Sequence, residues 1–395
     1  MTAAASPAGA GGAGRGVIAA LGVVQILTWG SSFYLLTVLA GPIAADTGWP
    51  LQWIVGSLCV GLLVAGLVSP KVGALIAARG GRPVLAGGCV LLACGLALLA
   101  LAQGPIVFAL GWCIAGAGMA ASLYDAAFAA LGRLYGAGAR RAITLLTLWG
   151  GFASTVCWPI TAFLDAHLGW RATCLVYAGL HLGLSMPLVL AFVPKVAHRE
   201  ESGGPTRVTP VTLSGRERLA FLLMGGIVTC IGTIASAMSV QVLALLQSRG
   251  LSLAEAVALG TLVGPSQVLA RVVEQMSGGR HHPLWTMIWA VALMGLGLVL
   301  LAAGFPIVAV ALVAYGAGNG IFSIAKGTVP LAVLGAERYP VLAGRLARPA
   351  LLAQALAPLG AAQLLTAGGA GAVLAALVAL WLAAAVLLAL LWRRV

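Results

Sequence analysis

Twelve apolar stretches, each about long enough to cross a bilayer, follow one another along this 395-residue chain with short polar breaks between them. They fall near 17–43, 51–77, 84–103, 105–131, 142–166, 168–194, 218–247, 251–277, 284–303, 306–334, 346–367 and 369–392. A helix that crosses the hydrocarbon layer needs ~20 predominantly apolar residues. It must also satisfy its own backbone N–H and C=O groups, because no water is there to do so. This pattern excludes a soluble multidomain chain. It predicts an all-α membrane protein of twelve transmembrane helices. With 61% hydrophobic and 8% charged residues, little of the chain is left for a water-facing domain. The 54 glycines would weaken soluble helices. They suit a membrane bundle, where close packing replaces the hydrophobic drive between helices.

The net charge of +13 is a topology signal rather than a nucleic-acid footprint. With the N-terminus placed in the cytoplasm, sixteen Lys and Arg residues flank the spans on that side, and only Arg171 and Arg249 lie on the other. Such a bias sets orientation in the membrane. It predicts both termini in the cytoplasm of a bacterial-type inner membrane, with weak contact to anionic lipid. The N-terminal segment lacks a signal-peptidase pattern, so the first span is expected to be a retained helix. All seven cysteines lie in spans and form no CxxC, which suits packing rather than disulfides or metal.

The one long polar stretch, at about 195–217, separates six spans from six. The expected division is an N-terminal six-helix bundle over 1–194, a cytoplasmic linker over 195–217 and a C-terminal bundle over 218–395. An internal echo supports it. Span 4 carries Gly116-Ala117-Gly118 with Asp125 seven residues further on; span 10 carries Gly316-Ala317-Gly318 with Lys326 eight further on. Each is followed by a Leu-Gly pair (131–132 and 334–335) and then Tyr135 or Tyr339. Two pseudo-symmetric bundles with a site between them at mid-membrane are a transporter architecture.

At this point the chain resembles the major facilitator superfamily. Arg79-Gly80-Gly81-Arg82-Pro83 is similar to its basic loop between helices 2 and 3, although Ala78 stands where an acid is usual and Gly73 is one residue out of step. Arg140-Arg141-Ala142, Gly150-Gly151, Pro159 and Gly169-Trp170-Arg171 resemble the monocarboxylate transporter and oxalate–formate exchanger branch. Arg271 falls where that branch carries a substrate-facing arginine. The usual helix 1 lysine is missing, and Gln267 stands where an aspartate is common. The resemblance implies that helices 1, 4, 7 and 10 line a cavity, 2, 5, 8 and 11 support it, and 3, 6, 9 and 12 face lipid. Spans 3, 9 and 12 hold no ionisable residue, which agrees.

A charge inside the bilayer costs at least ~2.5 kcal/mol on insertion scales, so Asp125, Arg271 and Lys326 are the candidate functional groups. Arg271 is the candidate carboxylate ligand, since guanidinium stays charged and grips carboxylate with two parallel bonds. The alternative is a same-helix pair with Glu274, three residues on. Asp125 is the candidate proton carrier; the alternative is a fixed bridge to Lys326 that acts as a gate. Glu274 joins the coupling or gating set. Lys326 and Asn319 are further substrate-binding candidates, as are Gln25, Thr28, Trp29 and Tyr34 of span 1. His181 on outward-facing span 6 reads as a packed histidine, and His281-His282 as an exposed loop pair. Trp49, Trp53, Trp112, Trp170, Trp285 and Trp392 lie near span ends and fit interfacial belts.

There is no Walker loop, metal-ligand histidine pair or hydrolase triad, so neither enzyme activity nor a cofactor is expected. The reading is a monomeric secondary active transporter, a symporter of a small organic anion of monocarboxylate type. Its partners would be that substrate, the proton and the lipid bilayer, with no nucleic acid. The alternative is an efflux transporter for an apolar or cationic compound, with Asp125 as the cation's partner.

Overall fold

The computed structural model describes residues 10–195, 211–277 and 280–394. Most of the 195–217 linker lies outside them, with Arg199 and Arg207, and so does the start of the chain. The boundary between the two bundles is therefore still a proposal.

The chain is 88% helix, with no strand among the described residues. Ten helices are long and apolar enough to cross a membrane. Two of these are 54 residues long and turn back on themselves at Gly169 (φ 78°, ψ 165°) and Gly369 (φ 69°, ψ −172°). Glycine adopts positive φ without the steric cost a side chain would bring. Counting the turned-back pairs separately gives twelve spans. They are α1 Gly14–Thr47, α2 Leu51–Arg79, α3 Gly81–Leu101, α4 Pro105–Tyr135, α5 139–168 and α6 170–192 in the first half. In the second half they are α7 Gly215–Gln247, α8 Leu253–Met276, α9 Pro283–Ala302, α10 Val308–Leu334, α11 339–368 and α12 370–392.

Buried apolar residues form two cores. One is drawn almost wholly from α1–α6, around Phe108, Trp112, Phe128 and Tyr177. The other lies within α7–α12, around Met224, Met294, Leu298 and Leu377. The repeated glycines explain how each half packs. A Cβ on Gly116 would lie 2.1 Å from the Gly61 carbonyl oxygen of α2, and one on Gly118 2.7 Å from the Leu92 amide of α3. In the second half, a Cβ on Gly316 would lie 2.0 Å from Ser266 Oγ of α8, and one on Gly318 2.4 Å from the Met294 amide of α9. Both GAG triplets thus wedge their helix against two neighbours, leaving the next stretch of α4 and α10 to face the opposite half.

The halves meet at the end that carries both termini. Ser69 Oγ of α2 donates to the Gly344 carbonyl of α11 at 3.0 Å. A Cβ on Gly73 would lie 2.4 Å from the Pro340 carbonyl, and one on Gly132 2.5 Å from the Tyr339 ring. Two tryptophans depart from the interfacial-belt expectation. Trp112 is fully buried in the first core, and Trp170 is 4% exposed with its Nε1 donating to Asp46 at 2.9 Å. A helix end places a residue near the membrane surface, but only packing decides which way it points.

Candidate functional site

Helix α4 stops at Leu123 (φ −73°, ψ −176°) and restarts at Tyr124. Asp125 therefore stands in the first turn of a new helical segment, where the exposed N–H groups favour a carboxylate. Lys326 of α10 reaches it across the two halves, with Nζ 3.0 Å from Oδ1. The pair borders a small cavity lined by Tyr339, Pro330, Val228 and Gln354. Both side chains remain partly open, 20% for Lys326 and 31% for Asp125. The two charges that the sequence echo set at matching positions are thus brought together.

Arg271 of α8 is 5% exposed. Its Nε donates to the Gly320 carbonyl of α10 at 3.1 Å, and Nη1 crosses to the Thr147 carbonyl of α5 at 2.9 Å. Nη2 donates to Ser323 Oγ at 3.2 Å and more weakly to Gln267 Oε1 at 3.4 Å. Every one of these acceptors is neutral. The alternative pairing with Glu274 does not form. Glu274 Oε1 instead lies 3.7 Å from Arg140 Nη2 of α5 and 3.3 Å from His281 Nε2, and it accepts from Thr286 Oγ1 at 2.7 Å. Arg140 also donates to the His281 carbonyl. Position i+3 puts Glu274 on a neighbouring face of α8, yet the closing of the halves offers it a different cation. His281, expected as a solvent-exposed loop residue, is part of this cross-half cluster.

Of the span 1 candidates, Gln25 and Thr28 are fully buried. Gln25 Nε2 donates at 2.7 Å to the Ser122 carbonyl, beside the break in α4. Helix α1 is itself interrupted over Ser31–Tyr34 and resumes at Leu35. Trp29 and Tyr34 are half-buried, 6.0 Å apart, and joined by Phe33, Tyr124 and Trp158 in one aromatic cluster. Asn319 is half-buried on α10, directly before the Gly320 whose carbonyl Arg271 engages; its own carbonyl accepts from Ser323 Oγ at 3.2 Å. His181 is fully buried, with Nε2 2.7 Å from Ser31 Oγ, in a packed place as expected.

Sequence reasoning missed Tyr124, Thr147 and Ser323. The Tyr124 hydroxyl donates at 3.2 Å to the same Thr147 carbonyl that Arg271 engages. Tyr124 was within reach of sequence reasoning, being adjacent to Asp125. Thr147 contributes a backbone oxygen, which carries no side-chain signature.

Two pseudo-symmetric helical bundles, joined at one end and holding buried cations between them, define a membrane transporter. The chain belongs to the Major Facilitator Superfamily, whose family model matches residues 21–280. The fold is similar to that of the human organic anion transporter MFSD10 (TETRAN), at 17% identity and TM-score 0.74, covering 95% of this chain and 99% of that one. It is also similar to the Escherichia coli fucose:proton symporter FucP, at 14% identity and TM-score 0.71, covering 96% of this chain and 98% of that one. A second FucP structure, in the outward conformation, matches equally well at TM-score 0.71 and 14% identity. No curated protein sequence matches this one. As a member of this family the protein is a multi-pass membrane transporter of small molecules rather than an enzyme.

Proposed function

We propose that this protein is a secondary transporter of a small organic anion, with Arg271 as the carboxylate ligand. The observation that carries the reading is the state of Arg271 itself: a guanidinium 5% exposed within the membrane whose partners are two backbone carbonyls, a hydroxyl and an amide. An unpaired buried charge is costly. Neutral dipoles offset part of that cost, and a carboxylate would offset more through two charge-assisted bonds. Asn319 of α10 is a further candidate ligand, and Lys326 of that helix joins it only once the bridge to Asp125 opens. The resemblance of helices 4–6 and of the helix 8 arginine to the monocarboxylate branch supports this reading. The names of the two similar structures, an organic anion transporter and a proton symporter, are compatible with it.

Asp125 and Lys326 form the gate, with Arg140, Glu274 and His281 as a second clasp at the same end. The charge bias argues that this end is cytoplasmic. Proton coupling enters when protonation of Asp125 releases Lys326 and lets the halves rock. The efflux alternative needed Asp125 free to meet a cation, and its carboxylate is engaged 3.0 Å from Lys326.

The test is a substrate-affinity titration of Arg271→Lys. Lysine keeps the charge and loses the planar fork. A hydrogen bond to a charged group is worth ~1.5–3 kcal/mol, so affinity for a carboxylate should fall roughly 10- to 150-fold. Retained affinity would remove Arg271 from the site and the anion reading with it.

A further inference from the structure

We propose that the transported carboxylate is borne on an aromatic or comparably flat ring, which lies against a wall of aromatic side chains while Arg271 holds the acid group. This rests on the anion reading above and goes further by naming the body of the substrate.

The wall is continuous. Trp158 of α5 meets Tyr34 of α1 edge-on, with centroids 6.1 Å apart and planes at 88°. Tyr34 lies 6.0 Å from Trp29, and Trp29 lies 5.2 Å from Tyr124 of α4. At its lower end the wall reaches the cation. The Tyr124 hydroxyl and Arg271 Nη1 donate to one and the same oxygen, the Thr147 carbonyl, at 3.2 and 2.9 Å. A carboxylate replacing the Thr147 carbonyl at Arg271 would therefore place whatever it is attached to beside these rings.

Ordinary packing does not account for the whole wall. Trp29 and Phe33 pack against the first hydrophobic core, but Tyr34 and Trp158 belong to neither core, and Trp158 is 42% exposed. Trp29 Nε1 is buried without a hydrogen-bond partner, leaving a donor for a ligand acceptor. On the opposite half, the ring that meets the first half is Tyr339, and it sits at the Asp125–Lys326 pair. Tyr315 and Phe322 of α10 lie inside the second core, and on that helix Arg271 engages the Gly320 carbonyl and the Ser323 hydroxyl. The two sides of the site thus divide the work: rings on the first half, acid recognition on the second. A two-carbon acid would leave the wall without a partner. A ring engages it through edge-to-face and offset contacts that aromatic pairs favour.

The test is calorimetric binding to the purified full-length protein, using benzoate, cyclohexanecarboxylate, acetate and benzylamine. Benzoate should bind at least about tenfold tighter than acetate and several-fold tighter than cyclohexanecarboxylate, which controls for apolar partitioning. Tyr34→Leu and Trp158→Leu should each weaken benzoate roughly 2- to 12-fold and leave acetate unchanged. Trp158→Phe, which keeps a ring, should retain benzoate binding and guards against a folding defect in the leucine variant. Equal binding of acetate and benzoate, or equal weakening of both by the leucine variants, overturns the ring and leaves the anion reading standing. Benzylamine binding in place of the acids overturns the anion reading and this inference together.

Discussion

In the first half both cavity helices are interrupted, α1 over Ser31–Tyr34 and α4 at Leu123. Their counterparts in the second half, α7 and α10, run unbroken for 33 and 27 residues. The same glycine wedge packs α4 and α10, so the difference does not come from how each half is held together. It comes from what each presents to the space between them. A broken helix in a membrane frees backbone oxygens that other groups must satisfy. Gln25 answers one beside the α4 break, at Ser122, and Tyr124 with Arg271 converge on another at Thr147, near the Gly150-Gly151 bend of α5. The unbroken helices need no such repair, and α10 can carry Lys326, Asn319 and Ser323 as side-chain chemistry. The first half offers rings and carbonyls; the second offers cations and amides.

The largest expected effect breaks the contact between these two surfaces. Lys326→Met should leave the Asp125 carboxylate without its partner and loosen the end where the halves join. Removing one member of a buried pair costs about 3–5 kcal/mol, and less here because both side chains are partly open. The double variant Asp125→Asn, Lys326→Met should recover most of the lost melting temperature, and neither it nor Asp125→Asn alone should show pH-dependent uptake. Uptake by Asp125→Asn that still follows a proton gradient would sink the coupling role. Asp46→Asn is the contrasting case. Asp46 pairs with Trp170 and Arg171 inside the first half, so cysteine accessibility between the halves should not change.

The glycine wedges should respond alike if the halves share their packing. Gly116→Val and Gly316→Val each force a side chain into a neighbour's backbone, at 2.1 Å from Gly61 and 2.8 Å from Val263 respectively. Overpacking of this kind costs typically ~1–3 kcal/mol, read as loss of folded yield or melting temperature. Gly56→Ala, with nothing within 4 Å of the added Cβ, should be silent. A large loss in one wedge alone would show that the halves are held differently after all.

A smaller effect distinguishes repair from recognition. Gln25→Leu strands the Ser122 carbonyl and should lower stability by ~1–3 kcal/mol with little change in substrate affinity. Asn319→Leu, on an unbroken helix, should do the reverse: near-native melting and weakened binding. If both variants only destabilise, Asn319 is a packing residue. The smallest expected effect is on topology alone. In intact cells, a membrane-impermeant thiol reagent should label a cysteine at position 104 and miss one at position 207, with little cost to function from either.

Much of the fold was legible because a bilayer leaves so few choices. Spans of sufficient length must be helices, and the GAG echo with Asp125 and Lys326 set the two pseudo-equivalent helices in register. The Asp125–Lys326 pair could be posed from the sequence for the same reason. The partners of Arg271 and Glu274 could not. Residues three apart on one helix are possible neighbours, but Glu274 meets His281 through the turn after α8 and Arg140 only where the halves close.

What the sequence determined by itself was local and periodic: twelve apolar lengths, their charge-marked ends, and the glycines where helices pack backbone to backbone. Tertiary structure decided which polar atoms share a space. Thr147 offers Arg271 a backbone oxygen, and every residue has one of those. Trp112 and Trp170 turn inward from span ends because the first core packs around their indoles. Helix breaks also belong to this class. Leu123 carries no glycine or proline signature, and the interruption of α4 there is met by Gln25, from a distant part of the chain, at the Ser122 carbonyl.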